Sequence, residues 1–298
     1  MQKLKNFLII TYGQMRYSSV FVNMLERYAR DNKFRYSLLG HAWSDHTFSI
    51  SNPALTNWDS IMVTKHPEKI DLPRPLRELR KKLVFQYENS WPCLISPNSN
   101  PLLAVSSFLM ACDVCERYLQ EAKENPQILI FMRTDSAFDY HLSPNFIIPQ
   151  IDSLLYPIGP RRIREEIHYN AFVMTLGFFR LFTSRSQLNL KTSMEGISSS
   201  MVESNSISFC GESFFFHLFK AFCSDLRMLP LPWLISDRIV RHSGLTPFGN
   251  LAIIRRDKLS IYRYLLRQSK RHNQAISELN ILLPVQHTNY AYEFKTAF

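Results

Sequence analysis

The segment Ile128-Leu129-Ile130-Phe131-Met132-Arg133-Thr134-Asp135 places a cation and a carboxylate directly after five apolar residues. Gln127 to Met132 reads as a central buried strand, so charge emerges where the strand leaves the core. A carboxylate there can reach a divalent cation, and the cation can neutralise a diphosphate. The neighbouring guanidinium can bind phosphate oxygens directly. The same spacing also suits a structural Arg133–Asp135 pair capping the strand, and both readings stand. His41 and Trp43 follow another β-rich run and invite two readings as well: rings that stack on a base or sugar, or a packed aromatic beside a satisfied histidine.

Other patterns are weaker. Cys112-Asp113-Val114-Cys115 has C-x-x-C spacing but lies within a helical pattern, with no second pair at ligand spacing, which predicts structural cysteines. Neither a G-x-S-x-G element nor a P-loop occurs, so a hydrolase or a kinase has no support. Arg161-Arg162-Ile163-Arg164, after Gly159-Pro160, suits a solvated loop or a site for a diphosphate or charged acceptor. Arg255 to His272 predicts a basic helix with Leu259, Ile261, Tyr262, Leu265 and Leu266 as its apolar stripe. Such a helix either packs on the domain or rests on an anionic membrane surface.

These residues need a scaffold. Asn6 to Thr11 predicts a strand ending at Gly13, and Val20, Phe21, Met24, Leu25 and Tyr28 follow at helical spacing. Phe34 to Leu39 predicts a second strand. That β-loop-α-β opening is the usual start of a parallel α/β sheet, with ligands at the carboxyl ends of the strands. Asp59 to Thr64 fits a third strand and Pro75 to Leu83 a basic amphipathic helix. Leu102 to Lys123 is the clearest long helix, ending before Asn125-Pro126. Ser153 to Tyr156 and Asn170 to Met174 fit further strands, Glu212 to Phe222 an aromatic-rich helix and Leu226 to Leu229 a strand. Lys191 to Ser208, rich in Ser, Thr and Asn, predicts a mobile loop able to act as a lid.

The whole chain is 298 residues, 46% hydrophobic and 20% charged, which excludes disorder and a mini-protein. No apolar run is long enough to span a bilayer, and the N-terminal apolar run reads as a strand rather than a signal peptide. Lys and Arg number 35 against 25 Asp and Glu, a net charge of +10, which favours anionic partners. No RNA- or DNA-binding motif accompanies that charge, so nucleic acid is not the expected partner. Five cysteines (Cys93, Cys112, Cys115, Cys210, Cys223) fit a reduced compartment, and a cytoplasmic location is expected.

Four segments in one order carry a resemblance. Ile9-Ile10-Thr11-Tyr12-Gly13-Gln14-Met15-Arg16 looks like an opening strand with a glycine and arginine loop. Leu38-Leu39-Gly40-His41-Ala42-Trp43-Ser44-Asp45 looks like a second strand with a His-x-Trp motif. The long helix before Ile128 to Asp135 precedes an R-x-D strand end, and Cys210-Gly211-Glu212-Ser213 opens a late helix on an acidic residue. Together these resemble the bacterial glycosyltransferases of capsule and lipopolysaccharide gene clusters, over roughly Lys5 to Pro230. The resemblance implies a GT-A-like α/β fold: a Rossmann-like, mostly parallel sheet flanked by helices, over residues 1–250. A basic helical C-terminal segment, 251–298, would pack on it or on a membrane surface.

The implied activity is transfer of a sugar from a nucleotide-sugar donor to a glycan or lipid-linked glycan acceptor, at or near the inner face of the cytoplasmic membrane. Gly13, Arg16, His41, Trp43 and Arg133 would bind the donor. Asp135 would hold the donor or a Mn2+ or Mg2+ ion, and Glu212 would serve as base. In the matching stretch Glu165-Glu166-Ile167-His168-Tyr169-Asn170, Glu166 and His168 compete for a further acidic position. Arg133-Thr134-Asp135 offers one carboxylate where Asp-x-Asp would offer two. The contrasting expectation is a non-catalytic basic protein that binds nucleic acid or an anionic membrane.

Overall fold

The computed structural model describes residues 6–15, 18–31, 33–44, 56–67, 70–87, 101–122, 126, 128–134, 136–138, 152–157, 167, 171–206, 208–231, 236–241 and 251–254. Arg16, Asp135, Arg161 to Arg164, Glu166, His168, Cys93 and the predicted Arg255 to His272 helix lie outside them.

In chain order the elements are β1 (Asn6–Thr11), α1 (Ser18–Asp31), β2 (Arg35–Ser44), β3 (Ser60–Lys65), α2 (Arg74–Tyr87), α3 (Pro101–Ala122), β4 (Ile128–Met132), β5 (Ser136–Phe138), β6 (Ser153–Pro157) and β7 (Ala171–Thr175). Then follow α4 (Leu176–Ser186), α5 (Leu190–Glu203), α6 (Gly211–Cys223), β8 (Arg227–Leu231), β9 (Ser236–Arg241) and β10 (Leu251–Ile254). Seven strands form one sheet in the order β3-β2-β1-β4-β7-β6-β8, in which β7 runs against its neighbours and the rest run together. The chain is thus α/β, with a Rossmann-like, mostly parallel sheet flanked by helices. β10, β9 and β5 form a second, antiparallel sheet. Its Leu251–Ile254 strand is the described part of the segment beyond residue 250.

The central strands are apolar throughout because both of their faces are covered. Successive side chains alternate, so Leu8, Ile10, Leu129 and Phe131 join one core while Phe7, Ile9, Ile128 and Ile130 join the other. The first core holds α3 to α6; the second holds Phe21, Val22, Leu25 and Tyr28 of α1. At the centre of the first core the Phe108 ring of α3 packs against Tyr12, Phe131, Phe172, Phe215 and Phe219, with centroids 5.2–5.7 Å apart. β1 and β2 approach so closely that a Cβ at Gly40 would collide with Thr11, which makes glycine the residue that fits there.

The expectation of a mobile lid at Lys191 to Ser208 is overturned: most of that stretch is α5. Asn189 caps it, its Oδ1 accepting from the Thr192 N–H at 3.1 Å. Ser193, Ile197, Ser200 and Met201 are buried at helical spacing. Small residues allow the approach to α6, where a Cβ at Gly196 would stand 3.1 Å from both Ala221 Cβ and Phe222 Cζ. Across the same contact Ser200 Oγ bonds His217 Nδ1 at 2.9 Å, and Lys220 Nζ donates to Ser204 Oγ at 2.6 Å. Helix α4 starts directly at the end of β7, where the Thr175 Oγ1 cap accepts from the Phe178 N–H at 3.3 Å.

Candidate functional site

From β1 the chain moves outward through β2 to β3, then returns across the sheet to lay β4 on the other side of β1. The loops after β1 and β4 therefore leave the sheet side by side at the carboxyl ends of the strands, where α/β sheets bind their ligands. Two bonds join the loops: the Tyr12 N–H donates to Met132 O at 3.3 Å, and Thr134 Oγ1 donates to Gln14 O at 3.3 Å. Gly13 and Arg133, chosen from motifs more than a hundred residues apart, are thereby brought to one edge.

Gly13 has φ +100, a conformation that L side chains rarely adopt. A Cβ built there meets nothing within 4 Å, so the backbone, not crowding, demands glycine, and the space beside it is open to a ligand. Both polar groups of the residue are fixed. Its N–H donates to Ser107 Oγ at 2.6 Å, and its carbonyl accepts from the Trp43 N–H at 3.2 Å. Arg133 is half-buried at the end of β4.

His41 and Trp43 do not follow β2; they lie within it, because the strand runs on to Ser44. Both occupy the face turned to α3. His41 is 0% exposed and Trp43 4% exposed, and their rings meet edge to face with centroids 4.6 Å apart. Ser107 Oγ bonds His41 Nδ1 at 2.6 Å, and Thr64 Oγ1 bonds Nε2 at 2.8 Å. Burial pushes the imidazole pKa down to about 4, so the ring is neutral at pH 7. The two rings are thus packed against each other, with both imidazole nitrogens hydrogen-bonded.

Glu212 is half-buried in the first turn of α6, its carbonyl accepting from the Ile167 N–H at 3.0 Å. One turn along the same helix, the Phe215 ring lies 5.9 Å from that of Tyr12, the residue before Gly13. The carboxylate also suits the positive end of the helix dipole. Among the described residues no three His, Cys, Asp or Glu side chains come together to hold a metal ion. Sequence reasoning missed Ser107 and Thr64. Ser107 stands in the apolar run of α3, where a single hydroxyl carries no signal until its partners are placed.

The protein is therefore an α/β chain in which the loops after β1 and β4 meet at one edge of the sheet. No protein-family model and no curated protein matches it. Among solved structures it is similar to the galactosyltransferase LgtC, crystallised with donor and acceptor sugar analogues, at 10% identity and a TM-score of 0.37 over 72% of this chain and 70% of that one. It is also similar to a glycosyltransferase involved in glycosylation of the major capsid of PBCV-1, at 7% identity and a TM-score of 0.30 over 76% and 81% of the two chains. Mouse xyloside xylosyltransferase 1 matches at 11% identity and a TM-score of 0.33, over 76% and 85%. No residue role passes from those structures to this chain.

Proposed function

We propose that this protein is a GT-A-like glycosyltransferase that moves a sugar from a nucleotide-sugar donor to a growing bacterial surface glycan, of the capsule or lipopolysaccharide kind. The observation that carries the reading is Gly13: a backbone held at φ +100, open on its Cβ side, at the strand ends that Arg133 borders. The motif order read from the sequence supports it. Arg16 and Arg133 bind the donor diphosphate, and Asp135 holds the donor. In transfer, the acceptor hydroxyl oxygen bonds to the anomeric carbon while that carbon's bond to the diphosphate oxygen breaks. Glu212 takes the hydroxyl proton, and the nucleoside diphosphate leaves with the bonding pair. Its charge rises during departure, so fixed guanidinium groups stabilise the transition state more than the bound donor. The enzyme works in the cytoplasm, where the basic segment from Arg255 to Arg271 draws it to the anionic membrane that carries a lipid-linked acceptor.

A panel of UDP-, GDP-, CMP- and dTDP-sugars, each with and without manganese or magnesium, tests this by thermal shift. A donor at a hundred times its Kd should stabilise the fold by about 2.7 kcal/mol, and Asp135→Asn should lose the response. If no nucleotide sugar shifts the wild type, the proposal falls.

A basic binding module is the competing reading, favoured by the net charge of +10 and by exposed Arg77, Lys81 and Lys82 on α2. Binding of that kind weakens steeply with salt, needs no nucleotide sugar, and survives Asp135→Asn.

A further inference from the structure

Five groups, contributed by the β1 loop, α3, β2, β3 and again α3, form one run of hydrogen bonds: Gly13 N, Ser107 Oγ, His41, Thr64 Oγ1 and Met110 Sδ. The direction of each bond follows from counting protons. The Gly13 amide can only donate, so Ser107 Oγ accepts from it. At the far end Thr64 donates to Met110 Sδ at 3.9 Å, which uses its one proton and leaves its oxygen to accept from His41 Nε2–H. A neutral imidazole with its proton on Nε2 has a bare Nδ1, and the Ser107 hydroxyl donates to it. In that order every proton in the run has an acceptor. The reverse tautomer would draw the Thr64 proton to Nε2 and leave Met110 Sδ without its donor.

We propose that His41 is a positioning residue for donor binding: through Ser107 it holds the Gly13 peptide in the orientation that the donor diphosphate meets. The proposal rests on the donor-site reading of the Gly13 loop. An acceptor at the His41 Nδ1 position takes the Ser107 hydroxyl proton and so fixes the hydroxyl with its lone pairs toward the Gly13 N–H. With Trp43 N–H holding the Gly13 carbonyl at 3.2 Å, the loop is set before ligand arrives, so less ordering is required on binding. His41 touches no substrate in this scheme. Ser107 and Thr64 face its two nitrogens and Trp43 its ring, and none of these three carries a charge.

Two amide replacements separate positioning from packing. Asn at position 41 keeps an acceptor where Nδ1 stands and loses the Thr64 contact; Gln keeps a donor toward Thr64 and loses the acceptor. The readouts are hydrogen exchange of the Gly13 amide by NMR in the full chain, and donor KM and kcat with the nucleotide sugar found by thermal shift. Ser107→Ala and His41→Gln should speed Gly13 exchange and raise donor KM by about three- to tenfold, with kcat little changed. His41→Asn should keep both close to wild type. Equal losses in His41→Asn and His41→Gln would overturn the proposal, because bulk packing would then explain them. Faster Gly13 exchange without a change in KM would overturn the positioning role. If no nucleotide sugar binds the wild type, the donor-site reading fails and takes the donor half of the proposal with it, while amide exchange still reports the bond order.

Discussion

The Gly13 N–H and Ser107 Oγ lie 2.6 Å apart although 94 residues separate them in the chain. That bond joins the loop after β1 to the long helix α3, and it is made by the residue whose φ is +100. Gly13→Ala should therefore destabilise the fold by more than about 1 kcal/mol through backbone strain, not through a clash. Urea midpoints of the two proteins check this. A variant as stable as wild type would mean that the loop turns without the left-handed residue.

Acid should weaken the fold through two histidines. Burial holds His41 and His217 down to about 4 from an ordinary 6.5, with the Lys220 charge adding to the effect at His217. Each binds its proton in the unfolded chain at a higher pH than in the folded one. Between pH 6.5 and 4 the unfolded state thus carries more protons, and stability falls as pH falls. The loss is on the order of 3 kcal/mol per histidine by pH 4. Urea midpoints at pH 7, 5.5 and 4.5 measure the slope. Comparison with His217→Gln isolates one histidine from the carboxylates, and an unchanged slope in that variant would contradict burial as the cause.

The strands were legible because β1 and β4 are buried on both faces, so Asn6 to Thr11 and Ile128 to Met132 could hardly be anything but central. Helix α3 announced itself by length and by the stop before Pro126. What stayed illegible depended on tertiary neighbours. The apolar residues of α5 are sparse because it meets α6 through Ser and Gly, and small residues on a helix face look like those of a loop. The partners of His41 lie 23 and 66 residues away, so sequence spacing shows a histidine near a tryptophan and nothing of the sealed ring. Gly13 and Arg133 were visible as chemistry, but only the crossing from β3 back to β4 makes them neighbours.

The close approach of α5 and α6 makes a packing prediction. With Ala221 Cβ and Phe222 Cζ both 3.1 Å from a Cβ at position 196, Gly196→Ala should need a shift of a few tenths of an ångström, and Gly196→Val a larger one. Gly196→Val should cost about 1–3 kcal/mol. Equilibrium unfolding of the variant checks it. Were Lys191 to Ser208 a mobile lid, the substitution would cost almost nothing, so the same experiment decides between helix and loop.

Cys112 and Cys115 sit 0% exposed inside α3, and burial raises both thiol pKa values, with the like charge of Glu116 adding to it. Burial also pushes Cys223 up to about 12. A thiol must ionise to attack a reagent or bind zinc, so these three should stay unmodified in the native protein. Iodoacetamide at pH 8 followed by peptide mass spectrometry should find no label on them until urea unfolds the chain. Rapid native labelling of Cys112 and Cys115 together would restore the redox or metal reading of their C-x-x-C spacing. Labelling of Cys223 by itself would mean instead that the end of α6 frays, exposing one thiol while the pair on α3 stays sealed beside Phe108.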